Sequence, residues 1–192
     1  MSPALLSPNE VAVLAETSNS VVEKALEQRV LRAQGGRSAG RRLLPLHAVA
    51  LAAAVKSLGR RLTVNDKKLV ARKLATLSTA ALKTAEIEVA PAVVLHVGSL
   101  AREAVERAER YTRNRDDFIE QVDGVQGGRP VIKGTRLTVS AIHGRLESGD
   151  TIASLIEDYP DIPREAFEAA VIFAKTHPQV GRPALRRTGS VA

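Results

Sequence analysis

The sequence predicts a mainly α-helical fold with small β elements. Hydrophobic residues make up 44% of the chain but aromatics only 3%, so a core must be built from Ala, Leu and Val, which favours packed helices. Apolar residues recur at helical spacing in several segments, and the β-branched pieces between them are short and bounded by Gly or Pro. A length of 192 residues suits one large domain or two small ones.

The first helix is signalled by "SPNEVAVLAE". Ser7 can cap it, Pro8 fits its first turn, and Glu10 stands three residues after Ser7, as in a capping box. Val11, Leu14 and Ala15 fall on one face. "TSNS" breaks the pattern and offers several caps for a second helix, "SVVEKALEQRVL", with Val22, Ala25 and Leu26 inward. Two short helices and a tight turn make a helix-turn-helix, whose second helix can enter the major groove. Asn19, Ser20, Glu23 and Lys24 are expected to be exposed near its start. Among them Glu23 is an awkward neighbour for phosphate, although a carboxylate can accept from cytosine. "LRAQGGRSAGRRLLP" then reads as a β-hairpin wing, with Arg37, Arg41 and Arg42 as phosphate or minor-groove contacts. A helix, "LHAVALAAAVKSLG", follows and is ended by Gly59. The expected front is therefore a winged helix-turn-helix domain over residues 1–61.

Residues 62–115 read as a connecting region. "NDKKLVARKLATLS" is a helix with Asn65 or Asp66 as its cap. "EIEVAPAVVLHV" gives two short strands around Pro91, with His96 as a core or edge histidine. "SLAREAVERAERYTRNR" is a charged helix whose narrow stripe of Leu100, Ala104, Val105 and Ala108 suits a dimer contact or a helix lying across another domain.

In the rear, residues 116–178, "GGRPVIKGTRLTV" invites a phosphate-cradle reading. A Walker loop needs Gly-Lys-Ser/Thr, and here the order is Lys133-Gly134-Thr135. No dinucleotide fingerprint is present, and His143 has no obvious catalytic partner in the sequence. A structural turn fits better. Val131-Ile132 and Leu137-Thr138-Val139 are short β pieces, and Gly134 permits a positive φ. Three helices follow: one capped by Thr138 and ended by Gly149, one capped by Asp150 and ended by Pro160, and one started by Pro163, with Phe167, Ala170, Val171 and Ala174 inward. The expectation is a three-helix, helix-turn-helix-like domain with a short β-hairpin. Residues 179–192 read as a flexible basic tail carrying Arg182, Arg186 and Arg187 and no acid.

Charge separates front from rear. Arg29 to Arg61 holds eight basic residues and no acidic one, whereas Asp116 to Pro178 holds eleven acidic and six basic residues. A basic front suits a polyanion and an acidic rear avoids one. The absence of cysteine excludes disulfides and thiolate metal sites. No metal-ligand spacing or clustered acidic nuclease site is apparent, so neither a metal, a cofactor nor catalysis is expected. No apolar run reaches membrane-spanning length and no signal peptide is visible, which points to a cytoplasmic protein without a membrane partner.

Two resemblances sharpen these expectations. "LSPNEVAVLAETSNSVVEKALEQRVL" and the wing after it resemble the N-terminal domain of MerR-type regulators, departing from them at the start of the second helix. "GGRPVIKGTRLTVSAIHGRLESGDTIASLIEDYPDIPREAFEAAVIFAKTHP" resembles domain-of-unknown-function family 433. Gly128, Pro130, Ile132, Gly134, Thr135 and Arg136 carry its loop signature, followed by Tyr159-Pro160 and His177-Pro178. Together the two are similar to VapB-type antitoxins. The resemblance implies an antitoxin and autorepressor that binds operator DNA and a PIN-like or Mut7-C-like ribonuclease toxin. A single helix-turn-helix covers one half-site of a two-fold operator, so a homodimer is expected, with the helix 99–115 and the 128–139 hairpin as candidate contacts. Arg182, Arg186 and Arg187 become candidates to neutralise the toxin's metal-binding carboxylates. The alternative is a MerR-like transcription regulator whose rear domain senses a ligand or dimerises.

Overall fold

The computed structural model describes residues 4–34, 42–121 and 126–178. Among these residues the fold is mainly helical, with three two-stranded antiparallel sheets.

Local chemistry sets the front. Helix α1 (Pro8–Leu14) carries the anticipated capping box: the Glu10 amide donates to Ser7 Oγ at 3.2 Å, and the Ser7 amide donates to Glu10 Oε2 at 2.6 Å. The chain leaves α1 through Glu16, which takes a positive φ of 51°, and enters α2 (Asn19–Glu27) from Ser18. Val22 is buried beneath α2, with Ala25 and Leu26 partly buried beside it. Two backbone hydrogen bonds join Gln34 and Leu43, on either side of the expected wing, whose residues 35–41 lie outside the described residues. One pairing was not apparent in the sequence. Strand β1 (Leu5–Leu6), just before α1, pairs with β2 (Leu44–Pro45), just after the wing. Pro45 is tolerated because the sheet has only two strands, leaving it at an edge.

Helix α3 (His47–Leu58) is the centre of the molecule. Seven successive residues, Ala48 to Ala54, are buried, so it is apolar all round rather than amphipathic. Its alanines allow α6 (Val97–Phe118) to lie close along it. Gly59, at φ 57°, ends α3 as expected. Helix α4 (Val64–Leu74) is capped by Thr63, not by Asn65 or Asp66. Asp66 instead sits at the third helical position and returns a hydrogen bond to the Thr63 amide at 2.9 Å, completing a second capping box. After the single turn α5 (Thr79–Leu82) come the two short strands foreseen around Pro91, β3 (Glu86–Ala90) and β4 (Val93–His96), which pair as an antiparallel hairpin. His96 is exposed and pairs with Glu86 across it.

Helix α6 lies across the rest of the chain. Its buried face is Ala101, Ala104, Val105, Ala108 and Tyr111, and it packs against α3, α1 and α9 (Arg164–Thr176). The expected stripe included Leu100, but Leu100 is turned outward. The stripe is thus covered within the chain, as a helix lying across its neighbours would have it. Among the described residues, one core takes in side chains from Leu6 to Tyr111 together with Ala169, and α6 continues to Phe118.

The rear follows as β5 (Ile119–Glu120), β6 (Val131–Ile132), α7 (Val139–Glu147), α8 (Ile152–Asp158) and α9. Thr138 caps α7 as anticipated, through its bond from the Ala141 amide. Thr151 caps α8, displacing Asp150, whose carboxylate is engaged by Arg145. A second core gathers Ile132, Val139, Ile142, Leu155, Ile162, Ala166, Phe167 and Ala170. Helix α9 serves both cores, because Ala169 faces the first while Phe167 and Ala170 face the second.

Candidate nucleic-acid interface and the rear-domain loop

The exposed start of α2 presents Asn19, Ser20 and Lys24, as the helix-turn-helix pattern predicts. Arg29 and Arg32 are exposed just beyond it and extend the basic surface toward the wing. Arg37 and Arg41 lie outside the described residues. Arg42 is described, and it does not project freely. Its guanidinium grips Glu23 with Nη1 to Oε2 at 2.8 Å and Nη2 to Oε1 at 2.9 Å. The foot of the wing is thereby tied to the second turn of α2.

Helix α1 is held at both ends by α6. At its start, the Glu10 carboxylate is only 2% exposed. It receives the Ser7 amide, the Tyr111 hydroxyl at 2.6 Å and Arg115 Nη1 at 3.1 Å, while Arg115 Nη1 also donates to the Leu5 carbonyl. Burial, reinforced by the Glu10 carboxylate, pushes the Tyr111 phenol far above its ordinary range, so it stays protonated and donates. At the other end, Arg107 donates to the Leu14 carbonyl at 2.9 Å and pairs with Glu16, which Lys56 also contacts. Lys56 and Arg107 hold the Glu16 carboxyl below its ordinary value. Residues 107, 111 and 115 are four apart and share one helix face. That spacing was a signal available in the sequence, but their partners lie far away in it. The rear reaches the same helix, because Asn9 Nδ2 donates to the Thr176 carbonyl at the end of α9. Between front and rear lies an open cleft of about 1120 Å³, with Glu23 and Arg42 on one side and Arg113, Asp116 and His177 on the other.

The loop in the rear is a self-satisfied turn. Gly128 and Gly134 have φ of 73° and 74°. The Gly134 amide, which a phosphate cradle would point at its ligand, donates to Glu120 Oε1 at 3.1 Å. Thr135 Oγ1 donates to the Ile132 carbonyl and accepts from the Leu137 amide. The Pro130 carbonyl accepts from the Val139 amide, and Gln121 donates to the Gly128 carbonyl. Lys133 and Arg136 are exposed. The backbone of residues 128–139 is therefore largely engaged within the chain. His143, without an obvious partner in the sequence, pairs with Glu147 one turn on.

A Cβ at Gly134 would meet nothing within 4 Å. Gly134→Val is accordingly expected to cost about 1–3 kcal/mol through its backbone angle alone. Gly134→Ala should cost nearly as much, as read from chemical-denaturation midpoints. A Gly134→Ala protein as stable as the wild type would show that φ does not set the cost.

Among the described residues, no group of three or more His, Cys, Asp or Glu side chains could hold a metal, and no helix is long and apolar enough to cross a membrane. Arg182, Arg186 and Arg187 lie outside the described residues.

Over 188 residues the chain is 27% identical to "Uncharacterized protein y4eO" of Sinorhizobium fredii, covering 93% of this chain and 84% of that protein. A solved structure, that of Rv2018 from Mycobacterium tuberculosis, aligns over 88% of this chain and 97% of its own at 13% identity, with a TM-score of 0.40. Residues 119–174, from β5 through most of α9, match the family described as "Protein of unknown function (DUF433)".

Proposed function

We propose that the protein is an antitoxin of a type II toxin–antitoxin pair. In this proposal the winged helix-turn-helix front binds operator DNA and represses the protein's own operon. The rear domain, or the basic tail with Arg182, Arg186 and Arg187, neutralises a PIN-like or Mut7-C-like ribonuclease toxin in the cytoplasm. The protein acts by binding and is not an enzyme. The observation that carries the proposal is the joining, through α6 and α9, of a helix-turn-helix with an exposed, basic-flanked second helix to a DUF433 segment. Further support comes from the charge division between an acid-free run at residues 29–61 and an acidic rear. A homodimer is part of the proposal, since two-fold operators favour two copies of a single-helix reader. A second reading, a MerR-like regulator whose rear domain senses a ligand, is favoured by the cleft between front and rear.

The test is co-expression with the product of an adjacent gene that encodes a small ribonuclease with clustered carboxylates. That product alone should arrest growth, the full chain should relieve the arrest, and the two should co-purify. Growth arrest that the chain leaves unrelieved would reject the antitoxin proposal and leave the regulator reading standing.

A further inference from the structure

We infer that Glu23 is a specificity-determining residue: it occupies Arg42 as an internal competitor for DNA phosphate. The inference rests on the DNA-binding reading of the front. Both oxygens of the Glu23 carboxylate are taken by the planar fork of Arg42, at 2.8 and 2.9 Å. A phosphate would use the same donors in the same geometry. The Arg42 and Glu23 side chains are 56% and 29% exposed, so solvent and a ligand can reach the pair. Such an exposed pair contributes little to folding and can be exchanged.

Its position gives the pair a consequence. Glu23 lies one turn beyond Asn19 and directly before Lys24, on the helix that would enter the major groove. Arg42 stands at the foot of the wing, next to the Leu43–Gln34 closure. A phosphate arriving at the junction of helix and wing must displace Glu23 to gain Arg42. The freed carboxylate then faces a polyanion with no cation of its own. Only a base-edge amine, such as N4 of cytosine, gives it a donor. Duplexes that place such an amine within reach release Arg42 without leaving Glu23 unpaired, and other duplexes do not. One ion pair thus weakens general DNA binding and favours one base.

The full-length chain should be compared with Glu23→Gln, Arg42→Ala and the double variant. Two probes are used: a mixed-sequence duplex of about 30 base pairs, and a pool of duplexes with a randomised centre. Glu23→Gln should bind the mixed-sequence duplex about 10-fold more tightly at roughly 0.1 M salt, with a salt dependence steeper by about one ion. The gain should vanish in the Arg42→Ala background. Selection from the pool should lose a C·G preference at one position. Melting should stay at the wild-type value, because the pair is on the surface. If the wild type binds but Glu23→Gln binds no better, with the wild-type salt slope, Glu23 is only a strut and the inference is overturned. If neither the wild type nor any variant binds duplex DNA, the DNA-binding reading of the front falls, and the inference with it.

Discussion

Glu10→Ala is expected to lower the stability of the folded chain by about 3 kcal/mol, a loss far larger than that of an ordinary helix cap. The carboxylate is buried, and the substitution removes three partners together: the Ser7 amide, the Tyr111 hydroxyl and one bond of Arg115. Tyr111 is 2% exposed, so its hydroxyl would lose its carboxylate acceptor away from water. The Arg115 side chain is 19% exposed and keeps Asp116 and the Leu5 carbonyl, which holds the cost near the lower end for a broken buried pair. Glu10→Gln retains an acceptor of the same shape and should lose less. The measurement is the denaturation midpoint at an unchanged slope. A loss near 1 kcal/mol would mean that the cap alone matters and that α6 does not hold α1 through this carboxylate.

The second large effect is expected from a change that adds a single methyl group. A Cβ on Gly98 would stand 2.6 Å from Thr84 Cα and 2.7 Å from both Lys83 O and Thr84 C, all of them backbone atoms. No side chain can rotate away, and the Gly98 amide is also bonded to the Ala85 carbonyl at 2.8 Å. The first turn of α6 must therefore move off the α5–β3 connection, at the upper end of the roughly 1–3 kcal/mol range for overpacking. The better helix propensity of Ala opposes this by about 1 kcal/mol, leaving a net loss near 2 kcal/mol. A Gly98→Ala protein that melts at or above the wild-type temperature would show that this contact is looser than the structure places it.

These two sites mark the boundary of what the sequence can tell. Ser7 with Glu10, Thr138, Gly59 and Gly134 were legible because each acts on backbone groups within a few residues. The departures are local too: the sequence offers Asn65, Asp66 and Asp150 as caps, one to three residues away from Thr63 and Thr151, which do the capping. Thr-x-x-Asp and Thr-x-x-Ser compete with single Asn or Asp caps, and only the full reciprocal box decides between them. For the candidate interface, the exposed face of α2 could be anticipated, but the capture of Arg42 by Glu23 could not. The two stand nineteen residues apart in the sequence.

By itself the sequence determined the helix and turn pattern, the division into basic front and acidic rear, and the structural character of the Gly134 loop. All of these follow from periodicity, composition and short-range hydrogen bonding. Only the tertiary structure decided that α6 covers its own apolar stripe within the chain, that Gly98 must be glycine, and that Glu10 is more than a cap. The partners of Glu10, Tyr111 and Arg115, are 101 and 105 residues away. Such contacts are set by how whole helices pack, and that packing depends on the summed burial of surfaces spread along the entire chain, which no local pattern contains.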